Sequence, residues 1–411
     1  MTGFSKIIDG LPANLTIFGN HDDKTIAQMR NCLMDERATA GAICADGHLG
    51  YAQPVGGVIA YDGCISVSGV GFDIGCGNMA LKTNVLADDL SPGDWTDLAH
   101  KISGGISFGV GRTNTRVRYA LDIGPYWRNL AKHPAWDISA IGELKKMAEQ
   151  QLGTVGSGNH YVDVFRADSD GALWIGCHFG SRGLGHRTAT HYIKAAGGKE
   201  GINVDPAILE AESETGQEYL AAMELAGQYA YAGREWVTRS IAFMIGAEIL
   251  EEVHNHHNYA WMENVQGRPH WVVRKGATPL FPGQRSFVGG SLAGISVILE
   301  GTDRAPEGLM HSTVHGAGRI MSRTQAAGKT KWIKGKLKHL GAGRVDEAAW
   351  RLKIAEMGIL LIGAGADEMP EVYRNLEDVL DFHKETFVRR ETLRPKLVAM
   401  AGANEFDPYK D

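Results

Sequence analysis

Long apolar runs are missing from this sequence. Stretches such as Ile241 to Leu250 and Met357 to Ile362 fall well short of the roughly 20 residues that a membrane span requires. The start, Met-Thr-Gly-Phe-Ser-Lys, has no charged region followed by an apolar segment, so the expectation is a cytoplasmic protein without a membrane partner. Cysteine is scarce. Cys32, Cys44, Cys64, Cys76 and Cys177 are odd in number and never spaced as CxxC, which argues against a disulfide framework and a zinc ribbon. Positive charge is not in excess: the net charge is −6, so a nucleic-acid partner would have to be held by a local basic patch. Repeats, low-complexity tracts and Pro/Ser-rich linkers are also lacking, and the 411 residues read as one body spanning 1–411. Two common nucleotide motifs fail on inspection. Arg323-Thr-Gln-Ala-Ala-Gly-Lys-Thr330 has no glycine at its first position to wrap a phosphate, and Gly69-Val-Gly-Phe-Asp-Ile74 lacks the third glycine of a dinucleotide fingerprint.

Glycine, by contrast, is abundant, and it concentrates in segments 69–77, 104–111, 153–158, 180–185, 289–294 and 316–318, where backbone can approach a ligand closely. Short apolar runs alternate with these segments: Gly57 to Ala60, Ile65 to Val67, Leu173 to Ile175 and Trp271 to Val273 read as strands. Helical composition is strongest from Pro206 to Glu251, from Asp346 to Leu361 and from Val372 to Phe387. The fold class expected is α+β.

The chemistry-bearing residues fall in the glycine-rich segments. Asp73-Ile-Gly-Cys76 places a carboxylate and a thiol three residues apart; a thiolate can bridge two cations, although a lone cysteine is more often a small buried apolar residue. Gly156-Ser-Gly-Asn-His160, Cys177-His-Phe-Gly-Ser-Arg-Gly183 and His254-Asn-His-His-Asn258 add histidines after apolar runs, completing the inventory of a dinuclear site. Ligand softness by itself leaves zinc, iron, cobalt and manganese open. In His311-Ser-Thr-Val-His-Gly-Ala-Gly-Arg-Ile-Met-Ser-Arg323, a neutral imidazole set among small residues could attack phosphorus, and Arg319 and Arg323 could clamp phosphate oxygens; a structural histidine in a tight turn is the alternative.

Together, Gly69–Gly77, Gly156–His160, His178–Gly183, His256–Tyr259 and His315–Arg323, with Asp46-Gly-His-Leu-Gly50 and Arg274-Lys-Gly-Ala277, resemble in kind and order the RtcB family of RNA ligases. The resemblance implies one large domain with central β-structure and peripheral helices. It implies that Asp73, Cys76 and His160 hold one Mn²⁺ and that Cys76, His178 and His257 hold a second, with Cys76 bridging. It further implies that His315 is guanylylated by GTP, within a nucleotide site lined by Asn159, His160, Asp163, His257, Asn258, Gly289, Gly290, Ser291, Leu292, Ser296, His315, Gly316, Ala317 and Gly318. Arg182, Arg319 and Arg323 would meet RNA phosphates. The implied partners are RNA with 3′-phosphate or 2′,3′-cyclic phosphate and 5′-hydroxyl ends, and an archease-like activating protein.

Three departures from the family pattern all touch nucleotide contacts. Asn159-His-Tyr-Val-Asp163 stands where Asn-His-Phe-x-Glu is usual, Gly289 stands where proline is common, and no lysine aligns with the family's C-terminal one. Two basic stretches, Gly111 to Arg118 and the segment from Arg319 through Lys329, Lys331, Lys334, Lys336 and Lys338, are candidate RNA-facing surfaces. A metal-dependent phosphoesterase that acts on RNA 3′-ends without joining them, and a non-catalytic RNA-binding relative, stay open.

Overall fold

A computed structural model describes residues 5–8, 11, 13–114, 118–333 and 336–403. Its centre is an eight-stranded sheet in the order Ile249–His256, Gly77–Leu86, Ala172–Phe179, Tyr161–Ala167, Phe387–Gly402, Ser296–Gly301, Arg285–Val288, with Leu360–Ala364 pairing alongside Phe387–Gly402. The first and last strands of this order approach one another, where the Phe287 amide donates to Asn255 Oδ1 at 3.3 Å and Asn78 Nδ2 donates to the Phe287 carbonyl at 2.9 Å. The sheet therefore curls nearly into a barrel. A second sheet of six strands runs Ser5–Ile8, Asn14–Phe18, Ala38–His48, Val55–Tyr61, Arg268–Lys275, Asn258–Val265.

The two sheets are joined at one residue. Strand Ile249–His256 belongs to the central sheet and strand Asn258–Val265 to the second, leaving His257 as the bend between them. The long helix Glu214–Met244 begins where the Ser213 side chain accepts from the Gly216 amide, a side-chain cap that satisfies one of the unpaired donors of its first turn. Its Trp236, Val237 and Ile241 share a core with Leu173, Ile175 and Phe179, and full burial of each contributes about 1.5–3 kcal/mol before conformational entropy is subtracted. Among the described residues no helix is long and apolar enough to cross a membrane.

The α+β expectation holds; three of the strands read from apolar runs lie within Val55–Tyr61, Ala172–Phe179 and Arg268–Lys275, whereas Ile65 to Val67 overlaps strand Cys64–Ser66 but its Val67 opens the short helix Val67–Val70. The helical segments were read too long. Pro206 to Glu251 contains the short strand Ile208–Glu210, then helix Glu214–Met244, then the start of strand Ile249–His256; Gly246, at φ +67°, turns the chain in a conformation that side chains with a Cβ resist. Asp346 to Leu361 holds helix Glu347–Glu356 and the start of strand Leu360–Ala364, and Val372 to Phe387 keeps only helix Leu376–Asp381. The P-loop imitation is a short helix, Arg323–Ala327, capped by the Ser322 side chain.

Candidate metal centre and nucleotide pocket

The metal-ligand candidates meet at one rim of the central sheet because antiparallel pairing aligns a strand end with two strand starts. Asn78, two residues after Cys76, is in register with His178, and His178 with Tyr161, the residue after His160. Cys76 Sγ lies 3.7 Å from His160 Nε2 and 3.7 Å from His178 Nε2, and the three ligand atoms lie within 4.8 Å of one another. Asp73 Oδ2 is 3.0 Å from His160 Nε2. The ring of His257 stacks on that of His178, centroids 5.0 Å apart at 22°.

The outer nitrogens of these histidines are already engaged. His160 Nδ1 is 2.9 Å from the Val155 carbonyl and His178 Nδ1 is 2.7 Å from Asn78 Oδ1, an arrangement that places the proton on Nδ1 and leaves Nε2 to ligate. Among the described residues His257 Nδ1 is buried without a hydrogen-bond partner, so a ring-nitrogen lone pair is available for a further ligation. Burial, reinforced by Asp73, pushes the Cys76 thiol well above its ordinary value. Burial likewise holds His178 and His257 well below theirs, so both imidazoles are neutral, the state that binds metal. A buried thiol, two neutral imidazoles with free lone pairs and an adjacent carboxylate fit a divalent cation.

His315 follows strand Ser312–Val314, and its ring stands 5.0 Å from that of His257 at 65°. Its Nδ1 is 2.6 Å from Asp46 Oδ2, and the same oxygen accepts from the amides of His315 at 2.9 Å and Gly316 at 3.1 Å. Burial alone would raise Asp46, but His315 and these two amides outweigh it and hold the carboxyl below the usual range. Nε2 is thereby the nitrogen left for chemistry.

The loops expected around a nucleotide also converge. Gly316 approaches the Gly289 carbonyl, and the Gly290 amide donates to Ser296 Oγ at 3.1 Å. Leu292 and Ala317 are buried, while Ser291 is half-buried and Asn159 exposed. Asn258 is used internally: its Oδ1 accepts from the Gly276 amide at 2.7 Å and its Nδ2 donates to the Asp73 carbonyl at 3.3 Å. A Cβ at Gly289 would run into the Tyr161 hydroxyl, so glycine at 289 and tyrosine at 161 fit each other sterically. Asp163, two residues along the same strand, is buried, and burial pushes its carboxyl well above the ordinary value.

A family model described as tRNA-splicing ligase RtcB matches residues 28–401. The chain belongs to the RtcB family. Similar proteins include the tRNA-splicing ligase RtcB of Methanococcus maripaludis, 31% identical over 89% of this chain and 88% of its own length. Those of Aeropyrum pernix, 30% identical over 87% of each, and Thermococcus kodakarensis, 29% identical over 92% and 91%, are likewise similar.

The arginines of this RtcB-family chain differ in placement. Arg182, at φ +57°, opens helix Arg182–Ala195 and brings Nη1 to 3.0 Å from His160 Nδ1. Its guanidinium occupies the space that a Cβ at Gly156 would fill, so that glycine makes its seat. Arg319 and Arg323 are engaged within the fold. Arg319 donates to the Tyr373 hydroxyl at 2.8 Å and the Asp367 carbonyl at 3.0 Å; Arg323 pairs with Asp367 Oδ2 at 2.7 Å and with Glu368. Of the basic stretches, Lys334 and the side chains of Lys331, Lys336, Lys338 and Arg116 lie outside the described residues. Sequence reasoning gave no role to Asp46, Asn78 or Arg374, whose guanidinium donates to the Asp46 and Gly47 carbonyls at 3.0 Å each. Only the Asp46-Gly-His segment carried a signal, as part of the family resemblance.

Proposed function

We propose that this RtcB-family chain is a GTP- and Mn²⁺-dependent RNA ligase. It joins an RNA 3′-phosphate or 2′,3′-cyclic phosphate end to a 5′-hydroxyl end through a guanylylated His315. The observation that carries the reading is the Asp46–His315 contact of 2.6 Å beside the stacked His257 and His178 rings, and the names of the relatives support the substrate class.

His315 Nε2 attacks the α-phosphorus of GTP, forming an N–P bond as the bond to pyrophosphate breaks. Asp46 keeps the proton on Nδ1 and stabilises the imidazolium that develops, the role of an orienting carboxylate beside a catalytic histidine. An RNA 3′-phosphate oxygen then takes the GMP, breaking the N–P bond and returning the lone pair to His315. The 5′-hydroxyl attacks the activated RNA phosphorus and GMP leaves. A cyclic phosphate is first opened by water. Divalent ions held by Asp73, Cys76, His160, His178 and His257 would offset the negative charge of the phosphates. Arg182 is the proposed phosphate contact nearest these ligands. Arg319 and Arg323 would have to exchange internal partners to act in the same way.

The test is covalent labelling. Metal-loaded protein with α-labelled GTP should carry a label that survives alkali and is released by acid, because a phosphoramidate is labile once its nitrogen is protonated. His315→Ala should abolish both label and end-joining. Asp163, where glutamate is usual, makes ATP a necessary parallel arm: labelling by ATP alone keeps the mechanism and overturns the nucleotide. No label with either, while cyclic phosphate is still opened, replaces the ligase with the phosphoesterase.

A further inference from the structure

Behind the ligand loops lies a guanidinium that the mechanism above does not use. Arg234, on the long helix Glu214–Met244, is fully buried. Its Nη1 donates to the Gly75 carbonyl at 2.8 Å and to the Phe179 carbonyl at 2.6 Å. Gly75 immediately precedes Cys76 and Phe179 immediately follows His178, so one nitrogen atom spans the backbones of two ligand-bearing segments. Nη2 lies 3.0 Å from His256 Nδ1, which is itself 2.8 Å from the same Gly75 carbonyl. Nε donates to His254 Nε2 at 2.9 Å, and the guanidinium lies over the Tyr231 ring, 5.2 Å from its centroid.

Among the described residues no carboxylate pairs with this arginine; its partners are two carbonyls and two imidazoles. That is a costly way to bury a cation, since removal from water is normally offset by an acid. Burial accordingly pulls the group below its ordinary value, and Cys177, Tyr231, Cys76 and Asp73 act against that pull. Two of those four belong to the candidate metal centre. A packing role alone would be served by an apolar side chain of similar length. What an apolar side chain could not do is fix the separation of two carbonyls from a single atom.

We infer that Arg234 is a positioning residue of the metal centre, setting the spacing of Cys76 and His178 by clamping the carbonyls of Gly75 and Phe179, with His254 and His256 holding the clamp. The inference rests on the reading of Cys76 and His178 as metal ligands. Outer groups that orient ligands typically change metal affinity 10–100-fold when removed, and that is the effect expected here.

The experiment titrates metal-free protein with Co²⁺ alone and follows the thiolate-to-cobalt charge-transfer band, with circular dichroism and a thermal melt as the check on folding. Cys76→Ala is the control and should lose the band. If the wild-type protein gives no such band, the ligand assignment fails and the clamp fails with it. If wild type gives the band and Cys76→Ala does not, the ligand assignment stands and Arg234 is judged separately. Arg234→Gln should then be folded, bind Co²⁺ about 10–100-fold more weakly and show a shifted band, and Arg234→Lys, which keeps one donor group, should fall between. His254→Leu leaves Arg234 in place but removes the partner of Nε, and should give a smaller loss in the same direction. This milder variant decides the matter should Arg234→Gln not fold. A variant that melts lower yet binds Co²⁺ with wild-type affinity and spectrum reveals a purely structural residue and overturns the inference.

Discussion

Replacing Asp46 tests the proposed nucleophile through its support. One buried oxygen of Asp46 receives His315 Nδ1 at 2.6 Å and the amides of His315 and Gly316 at 2.9 and 3.1 Å. Asp46→Asn keeps the size and one acceptor but removes the charge. Exchanging charged for neutral hydrogen bonds should cost about 1–2 kcal/mol of stability, and loss of the preferred imidazole tautomer should slow formation of the GMP adduct by about 10²–10⁴-fold. Asp46→Ala strands two buried amide donors at about 1–3 kcal/mol each and should be the less stable of the two. The assay is single-turnover labelling at saturating GTP and metal, with urea unfolding of the same samples. Metal content should not change, because Asp46 lies outside the ligand set. The sign with pH is also fixed: Asp46 is held below the usual carboxylate range, so its contribution to stability is fully present above about pH 4 and lost as pH falls further. Labelling by Asp46→Asn at the wild-type rate would refute the reasoning, because the carboxylate would then be irrelevant to the nitrogen it holds.

Two further outcomes follow from buried contacts away from the nucleophile. Gly289→Ala should cost about 1–3 kcal/mol by overpacking against Tyr161, and combining it with Tyr161→Phe should restore part of the loss, since the hydroxyl is the nearest atom but the ring carbon behind it stays close; melting temperatures of the four proteins measure the coupling, and strict additivity would show that the two residues do not compete for the same space. His383, stacked on Phe18 at 4.6 Å and accepting from the Ala45 amide at 3.1 Å, is held by burial down to about 4. As a histidine that must stay neutral in the fold, it stabilises the protein fully above about pH 6.5, and up to about 3 kcal/mol is lost as pH falls from there to 4. In metal-free protein His383→Phe should be less stable at neutral pH but should lose less across that window, a difference that urea midpoints at several pH values will detect. His48, also held down to about 4, keeps part of the slope. An unchanged slope in the variant would rule His383 out as a titrating group.

That the candidate ligands Cys76, His160 and His178 come together was legible in outline because each sits in a glycine-rich segment, where backbone can pass close to a neighbour. What supports them was not legible. Asp46 is 269 residues from His315 in the chain, and Arg234 reaches Gly75 across 159; an isolated aspartate or a helical arginine looks the same whether it faces water or a catalytic group. The helices were overextended for a related reason. Leu360–Ala364 and Ile249–His256 become strands through pairing with Phe387–Gly402 and Gly77–Leu86, and a short apolar run carries no mark of the partner awaiting it. Arg319 and Arg323 were readable as cations, whereas Asp367 and Glu368, which engage them, lie more than forty residues later.

Strand Phe387–Gly402 lies between Tyr161–Ala167 and Ser296–Gly301 in the middle of the central sheet. Among the described residues it follows every other strand in chain order, yet it joins two halves of the sheet that precede it. While it is still inside the ribosome, the strand that begins immediately after His160 presents an unpaired edge, open to pairing with the wrong chain. A chain that lacks residues 387–402 therefore leaves the sheet that carries the candidate ligands unclosed.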